Sequence, residues 1–301
     1  MGKQSSRSAE RKKRKEFNYP NFFGIILAHI FALCGIWYLF IYGISLTNWI
    51  LFGIFSLLTG FGITIGYHRM LTHRGFQCSQ PLRWALAIMG GMAGEGYEYE
   101  WVANHRVHHF FSDQEQDPHS PRAYPGIKGF LWAHIGWLFF KYERPDLYKT
   151  FQDLDRDPVT QWQRKFYLLI VISGFIIPFL ISGLSGILIS GFLRLVFVWH
   201  STWSVNSICH LFGSRAKDAE GNLYTRDDSR NNILIALFAL GEGYHSNHHF
   251  RPTWAYHGWE WHNLDMSKWM IQSFEWLGLI WNVKKPVIDK GLLIKEIPKI
   301  A

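Results

Sequence analysis

The sequence predicts an all-α integral membrane protein, with four transmembrane helices and a cytosolic helical cap that holds a histidine-rich metal site. Three observations lead there. Long apolar runs alternate with a polar half that carries nearly all the charge. Two histidine triplets, His105/His108/His109 and His245/His248/His249, share one spacing of i, i+3 and i+4. Two of the apolar runs end by delivering a histidine to the same side as a basic N-terminal arm.

Composition sets the class. Of 301 residues, 48% are hydrophobic and 17% aromatic, with 15 Trp. Mean hydropathy is near zero only because apolar and polar stretches are segregated. About 18 consecutive apolar residues cross a hydrocarbon layer roughly 30 Å thick. The formal charge of +8 gathers partly at the N-terminus. There it reads as a positive-inside signal rather than a nucleic-acid surface.

Residues 1–20 form the basic cytosolic arm, with Arg7–Lys15 as its charged core. The span at 22–42 is too long for a signal-peptide core and lacks a nearby cleavage site, so it runs outward as the first crossing. His29 inside it reads as a packed residue. A short polar link forces the next span, 49–66, to return beside the first and to deliver His68. The apolar run from Pro81 to Gly96 is short, contains Arg83, and reads as a buried or surface helix of the cap. Ile127–Tyr142 is aromatic and amphipathic and suits the membrane interface. Spans at 166–183 and 187–207 form the second pair, the latter ending at Asn206 and His210. Arg194, in the first third of the last span, is expected to snorkel to the outer interface. The cap comprises 67–165 and 208–285, within one membrane domain of 21–285, and 286–301 is a tail. Both termini and every candidate ligand then share the cytosolic side.

The histidines carry the chemistry. At about 100° per residue, each triplet places its imidazoles on one side of a helical turn. Imidazole binds metal without losing a proton near neutral pH. His68 and His73 lie five apart, about 140° around an α-helix, so they do not share an α-helical face. With His210 the set reaches nine: His68, His73, His105, His108, His109, His210, His245, His248 and His249. One tetrahedral zinc needs about four ligands. Nine nitrogen donors suit two metals, with Asn206 or water completing the set. Zinc has no redox chemistry, whereas iron in a nitrogen-rich site with an open position activates dioxygen. The count therefore favours two irons. Cys34, Cys78 and Cys209 have no spacing for a disulfide framework or an iron–sulfur cluster. The remaining histidines, His29, His119, His134, His200, His257 and His262, are expected not to be ligands.

These motifs resemble the membrane fatty-acyl desaturases, in particular the delta-9 (stearoyl-CoA desaturase-like) branch in its bacterial form. That family has three histidine boxes, H-x4-H and two of H-x-x-H-H. They are matched here by His68/His73, His105/His108/His109 and His245/His248/His249. The N-S-x-x-H-L-F-G motif stands here from Asn206 through His210, and the similarity runs over about residues 20–285. The resemblance implies a mushroom-shaped helical fold, two iron ions held by the nine histidines, and Asn206 reaching iron through a water. The implied reaction uses O2 and two electrons to remove two hydrogens from adjacent methylenes of a saturated acyl chain. The same scaffold could instead hydroxylate the chain. A metal transporter or sensor fits less well, because its ligands belong near the bilayer midplane, whereas here they lie beyond the helix ends.

The resemblance also assigns Trp101, Thr202 and Glu95 to the bend of an acyl tunnel; taken alone, Trp101 would read as interfacial and Thr202 as helix packing. Glu95 is acidic where animal members are neutral. Ser56 and Gly60, i and i+4 on the second span, are expected at the depth of the chain end. Asn104 and Lys141 fall on the acyl-carrier surface, but Ala103 and Asn104 replace the Arg-Asp of acyl-CoA members, and Tyr142 replaces a basic residue. The carrier, CoA or membrane lipid, stays open. Electrons are expected from an external ferredoxin or cytochrome b5 with its reductase, since no G-x-G-x-x-G or cluster motif is present. Arg106, Arg122, Lys128, Lys141, Arg144 and Arg251 are the basic cap residues that could steer such a carrier. A bacterial inner membrane is the expected location, or the endoplasmic reticulum in a eukaryote.

Overall fold

The computed structural model describes residues 16–43, 45–141, 151–217, 221–286, 288–289 and 292–293. Most of the basic arm, Tyr142, Arg144 and most of the C-terminal tail lie outside them. Helix α1 (Tyr19–Tyr42) starts at Asn18, whose side chain accepts from the Asn21 N–H, and carries Pro20 in its first turn. Its buried residues, Ile25, Ala28, Ala32 and Gly35, form one narrow stripe. Most of the rest of its surface is apolar and exposed, Phe40 at 84% among them. Such an exterior has no place in water and suits lipid.

Helix α2 (Leu46–Phe61) continues without a break into a π-helical segment, Gly62–Thr72. A β-carbon at Gly62 would stand 2.1 Å from the Gly90 nitrogen, so only glycine lets α3 (Gln80–Gly91) pack here. The π-helical bonding bears directly on the first histidine pair. The His73 N–H donates to the His68 carbonyl at 3.2 Å. Bonds from i to i+5 stack residues five apart, as i to i+4 bonds do in an α-helix. His68 and His73 therefore share a face after all, their ring centroids 4.8 Å apart.

Helix α4 (Glu98–Phe111) follows α3, then the short α5 (Gly126–His134) and α6 (Gln152–Arg156). Arg83, buried, binds both oxygens of Glu98 (2.8 and 2.7 Å) and Asp157 (2.6 Å), pinning α3, α4 and the start of α7 (Pro158–Ser185) together. Among the described residues, three helical stretches are long and apolar enough to cross a membrane: Tyr19–Tyr42, Leu46–Thr72 and Pro158–His210. The third doubles back. Gly183 takes φ 60° and ψ −142°, a conformation that glycine adopts readily. Beyond it a second π-helical segment, Gly186–Leu193, leads into α8 (Arg194–Ser207), and Phe192 packs on Phe175 with centroids 4.7 Å apart.

Arg194 corrects an expectation. It is fully buried and does not reach an interface. Its Nε, Nη1 and Nη2 donate to the carbonyls of Ser190 (3.2 Å), Met92 (3.0 Å) and Gly174 (3.2 Å). The hairpin folded at Gly183 surrounds the guanidinium with backbone acceptors, and the end of α3 supplies another. A buried guanidinium whose three nitrogens each donate to a carbonyl need not snorkel.

The remaining helices are short: α9 (Ile233–Phe238), α10 (His245–Phe250) and α11 (Met266–Trp276). A core of Phe61, Ile65, Leu86, Leu240 and Ile271 packs these C-terminal elements against the π-helical segment and α3. An antiparallel pair, β1 (Gln77–Cys78) with β2 (Ile280–Trp281), fastens the same contact. A second small pair joins β3 (Ile288–Asp289) to β4 (Leu292–Leu293).

Candidate metal centre

The fold sorts the nine histidines into two adjoining clusters. His68, His73, His105, His109 and His248 form one; His108, His210, His245 and His249 form the other. Within each, one ligand atom per residue lies within 4.8 Å of all the others. The two triplets are shared reciprocally. On α4, His105 and His109 align at i and i+4 and enter the first cluster, while His108 turns to the second. On α10, His245 and His249 enter the second cluster, while His248 turns to the first. Identical spacing on two helices thus builds two sites and locks them together, with the His109 and His249 rings 4.5 Å apart.

Four rings are oriented by carboxylates. The Nδ1 atoms of His68, His108, His210 and His249 lie 2.6, 2.9, 2.9 and 2.8 Å from Glu242, Asp117, Asp113 and Asp227. A carboxylate only accepts, so each of these Nδ1 atoms carries the proton, and in the neutral ring Nε2 is left as a lone pair turned inward. His108 Nε2 and His249 Nε2 then face each other at 3.3 Å, lone pair against lone pair. Burial holds His249 down to about 4 despite the pull of Asp227. Burial and neighbouring rings likewise hold His105, His109, His245 and His248 well below the ordinary imidazole value.

That geometry fits metal cations. Two ligands about 2.1 Å from one ion and at right angles stand about 3 Å apart. The Nε2–Nε2 separations are 3.1 Å for His68–His248, 2.9 Å for His109–His248, 3.0 Å for His105–His109 and 3.0 Å for His210–His245. His73 Nε2 is also buried with no hydrogen-bond partner. An all-imidazole donor set suits iron, zinc, copper or nickel rather than magnesium or calcium.

The four carboxylates were not among the sequence candidates. Asp113 and Asp117 sit in the loop after the first triplet, and Glu242 three residues before His245, so proximity was a usable signal. Asp227 lies in a polar stretch with no such signal. Two histidines set aside by the sequence reading also lie against the clusters. His119 stacks on His108 at 4.4 Å, and His257 lies 3.2 Å from Glu242 and 4.3 Å from the His248 ring. Each completes a possible donor group, His108–Asp117–His119 and His68–Glu242–His257.

An apolar cavity of about 440 Å³ runs between α2 and α8 to the clusters, where His68, His105 and His245 form part of its wall. Ser56, Gly60, Trp101, Thr202 and Asn206 all line it. Glu95 joins two of these from behind: Trp101 Nε1–H and Thr202 Oγ1–H donate to its two oxygens at 3.2 and 2.9 Å. Asn104 is partly buried on α4 beside His105. Lys141 pairs with Glu16 at 2.5 Å. Arg106, expected on the docking surface, is largely buried and binds Asp153 with both terminal nitrogens (2.9 and 2.8 Å).

The family model described as fatty acid desaturase matches residues 47–275, about three quarters of the chain. The chain belongs to the fatty acid desaturase family. Several relatives align with the desaturase over most of its length. It is 37% identical to the sn-1 stearoyl-lipid 9-desaturase of Anabaena variabilis, over 90% of this chain and 95% of that protein. Identity is also 37% with the sn-2 palmitoyl-lipid 9-desaturase of Nostoc sp. (strain 36), over 90% and 91%. With the icosanoyl-CoA 5-desaturase of Limnanthes douglasii it is 37%, over 79% and 67%. Near-equal identity thus extends to relatives named for different carriers and different bond positions.

Proposed function

We propose that this desaturase acts on a saturated long-chain acyl group of a membrane lipid and places a cis double bond after its ninth carbon. The balanced reaction takes the acyl chain, O2, two electrons and two protons to the monounsaturated chain and two waters. The observation that carries this reading is the apolar cavity of about 440 Å³ that ends at two histidine clusters. The names of the cyanobacterial relatives, which cover nine tenths of the chain, support the lipid carrier and the bond position.

The nine histidines would hold two irons, with Asn206 reaching one through a water. Iron supplies the O2-dependent hydrogen abstraction that no protein side chain can perform. The protein's own part is position. A methylene chain offers no charge to grip, so the cavity walls fix which carbons face the clusters. Trp101, stacked on His105 at 5.1 Å, and Thr202 shape the wall where the chain bends. Glu242, Asp113, Asp117 and Asp227 hold their rings in the ligating tautomer.

We further infer four membrane crossings, because the Pro158–His210 stretch doubles back at Gly183. Both termini then lie on the cytosolic side with the clusters, in a bacterial inner membrane. Electrons come from a separate ferredoxin or cytochrome b5. The test is purified, iron-loaded protein supplied with O2, ferredoxin, its reductase and NADPH. It is offered either a distearoyl glycerolipid or stearoyl-CoA. Oleoyl product from the lipid, and none when ferredoxin is omitted, is the expected result. Product from stearoyl-CoA alone overturns the lipid assignment.

A further inference from the structure

Glu95 is a half-buried carboxyl behind two wall residues of an apolar cavity, Trp101 and Thr202, with no cationic partner among the described residues. The buried carboxylates nearby are compensated: Glu98 by Arg83, and Glu242 and Asp265 by Arg69. Glu95 has only the neutral donors Trp101 and Thr202. The groups that face it are neutral or acidic. They are the Tyr67 phenol from the π-helical segment and the Tyr167 phenol from α7, while Glu100 of α4 reaches toward Gly96, the residue after Glu95. The nearby arginines are engaged elsewhere, Arg83 with Glu98 and Asp157, Arg164 over the rings of Tyr97 and Tyr99.

Trp101 and Thr202 line the cavity. A hydrocarbon chain lying against them displaces the water that could solvate the carboxylate behind them. Burying an uncompensated carboxylate costs several kcal/mol, and such groups take up a proton instead. Desolvation already pushes Glu95 up to about 7, against the opposing pull of its two hydrogen bonds. The site accommodates both forms. Thr202 is in mid-helix, so its hydroxyl can turn to a carbonyl one turn back and accept from the acid, while Trp101 keeps donating to the other oxygen.

Taking the cavity as the acyl site, which rests on the reading above, we propose that an acyl chain binds only when Glu95 carries a proton. Filling the cavity then draws one proton from solvent onto this carboxyl. Sequence alone marks the position as acidic; the hydrogen bonds and the lack of a cation give that acidity a consequence. Substrate affinity is full below about pH 7 and falls about tenfold per unit above it, because only the protonated fraction binds. Glutamine keeps a donor for Thr202 and an acceptor for Trp101, so Glu95→Gln imitates the protonated acid at every pH.

The test is calorimetric titration of anaerobic, iron-loaded protein in detergent with distearoyl phosphatidylglycerol and no electron donor. It is run from pH 6 to 9 in two buffers of different ionisation enthalpy. The wild-type protein should take up close to one proton per chain bound at pH 8, and its affinity should fall as described. Glu95→Gln should bind with a pH-independent affinity and no proton uptake. Should that variant fail to fold, the wild-type proton count decides alone. Binding without proton uptake in the wild-type protein, or an unchanged pH profile in Glu95→Gln, overturns the proposal. Absence of lipid binding by both proteins removes the acyl-lipid reading and this proposal with it.

Discussion

His108 Nε2 and His249 Nε2 face each other at 3.3 Å while Asp117 and Asp227 hold the opposite nitrogens of the two rings. In the neutral rings neither inward nitrogen has a proton to share, so that contact is repulsive until a cation stands between them. The carboxylates therefore do more than anchor the imidazoles, since they make the pair unable to satisfy itself. The reciprocal use of the two triplets places this contact where α4 and α10 meet.

Asp227→Asn is expected to weaken iron binding by about 10- to 100-fold, because the amide can donate to His249 Nδ1 and free the wrong tautomer. Chelator competition with iron quantified per chain measures this. Iron retention equal to the wild-type protein would show that the carboxylate does not set the ring.

Removing iron should make stability depend on pH. His105, His109, His245 and His248 are held well below the ordinary value by burial and by neighbouring rings. The unfolded chain binds protons on these residues below about pH 6.5, and the folded chain does not. Stability is thus retained above that pH and lost as pH falls through it. Bound iron opposes the loss by stabilising only the folded state. In detergent, the iron-free protein should melt at progressively lower temperature from pH 7.5 to 5.5, and the iron-loaded protein less so. A flat profile for the iron-free protein contradicts the burial argument.

Much of this arrangement is legible in sequence, and the exceptions have physical causes. The two triplets and the apolar runs are local patterns, and local patterns survive folding. The pairing of His68 with His73 was unreadable at α-helical periodicity because the segment is π-helical. Arg194 was misread because its acceptors come from Met92 and Gly174, which are remote in sequence. Asp227 is 22 residues from the ring it orients, with no motif linking them. His119 and His257 are expected from sequence not to be ligands, and only tertiary packing reveals that both rings lie against the clusters.

Ser56 lines the cavity on α2, twelve positions before His68, about 18 Å along the helix. Ser56→Tyr should fill the far end and shift preference toward shorter acyl chains. The measurement is the ratio of palmitoyl to stearoyl turnover in mixed lipid. A ratio unchanged from the wild-type protein would place the chain end elsewhere.

The central claim is most directly tested in a bacterial host that makes no delta-9 unsaturated acyl chains but supplies a ferredoxin. Expression of the chain is followed by mass spectrometry of intact glycerolipids with the double bonds located by ozonolysis. New monounsaturated lipids broken between carbons nine and ten are expected, absent from cells expressing His108→Ala. Hydroxylated chains, a bond at another position, or equal unsaturation in the His108→Ala cells would contradict that claim.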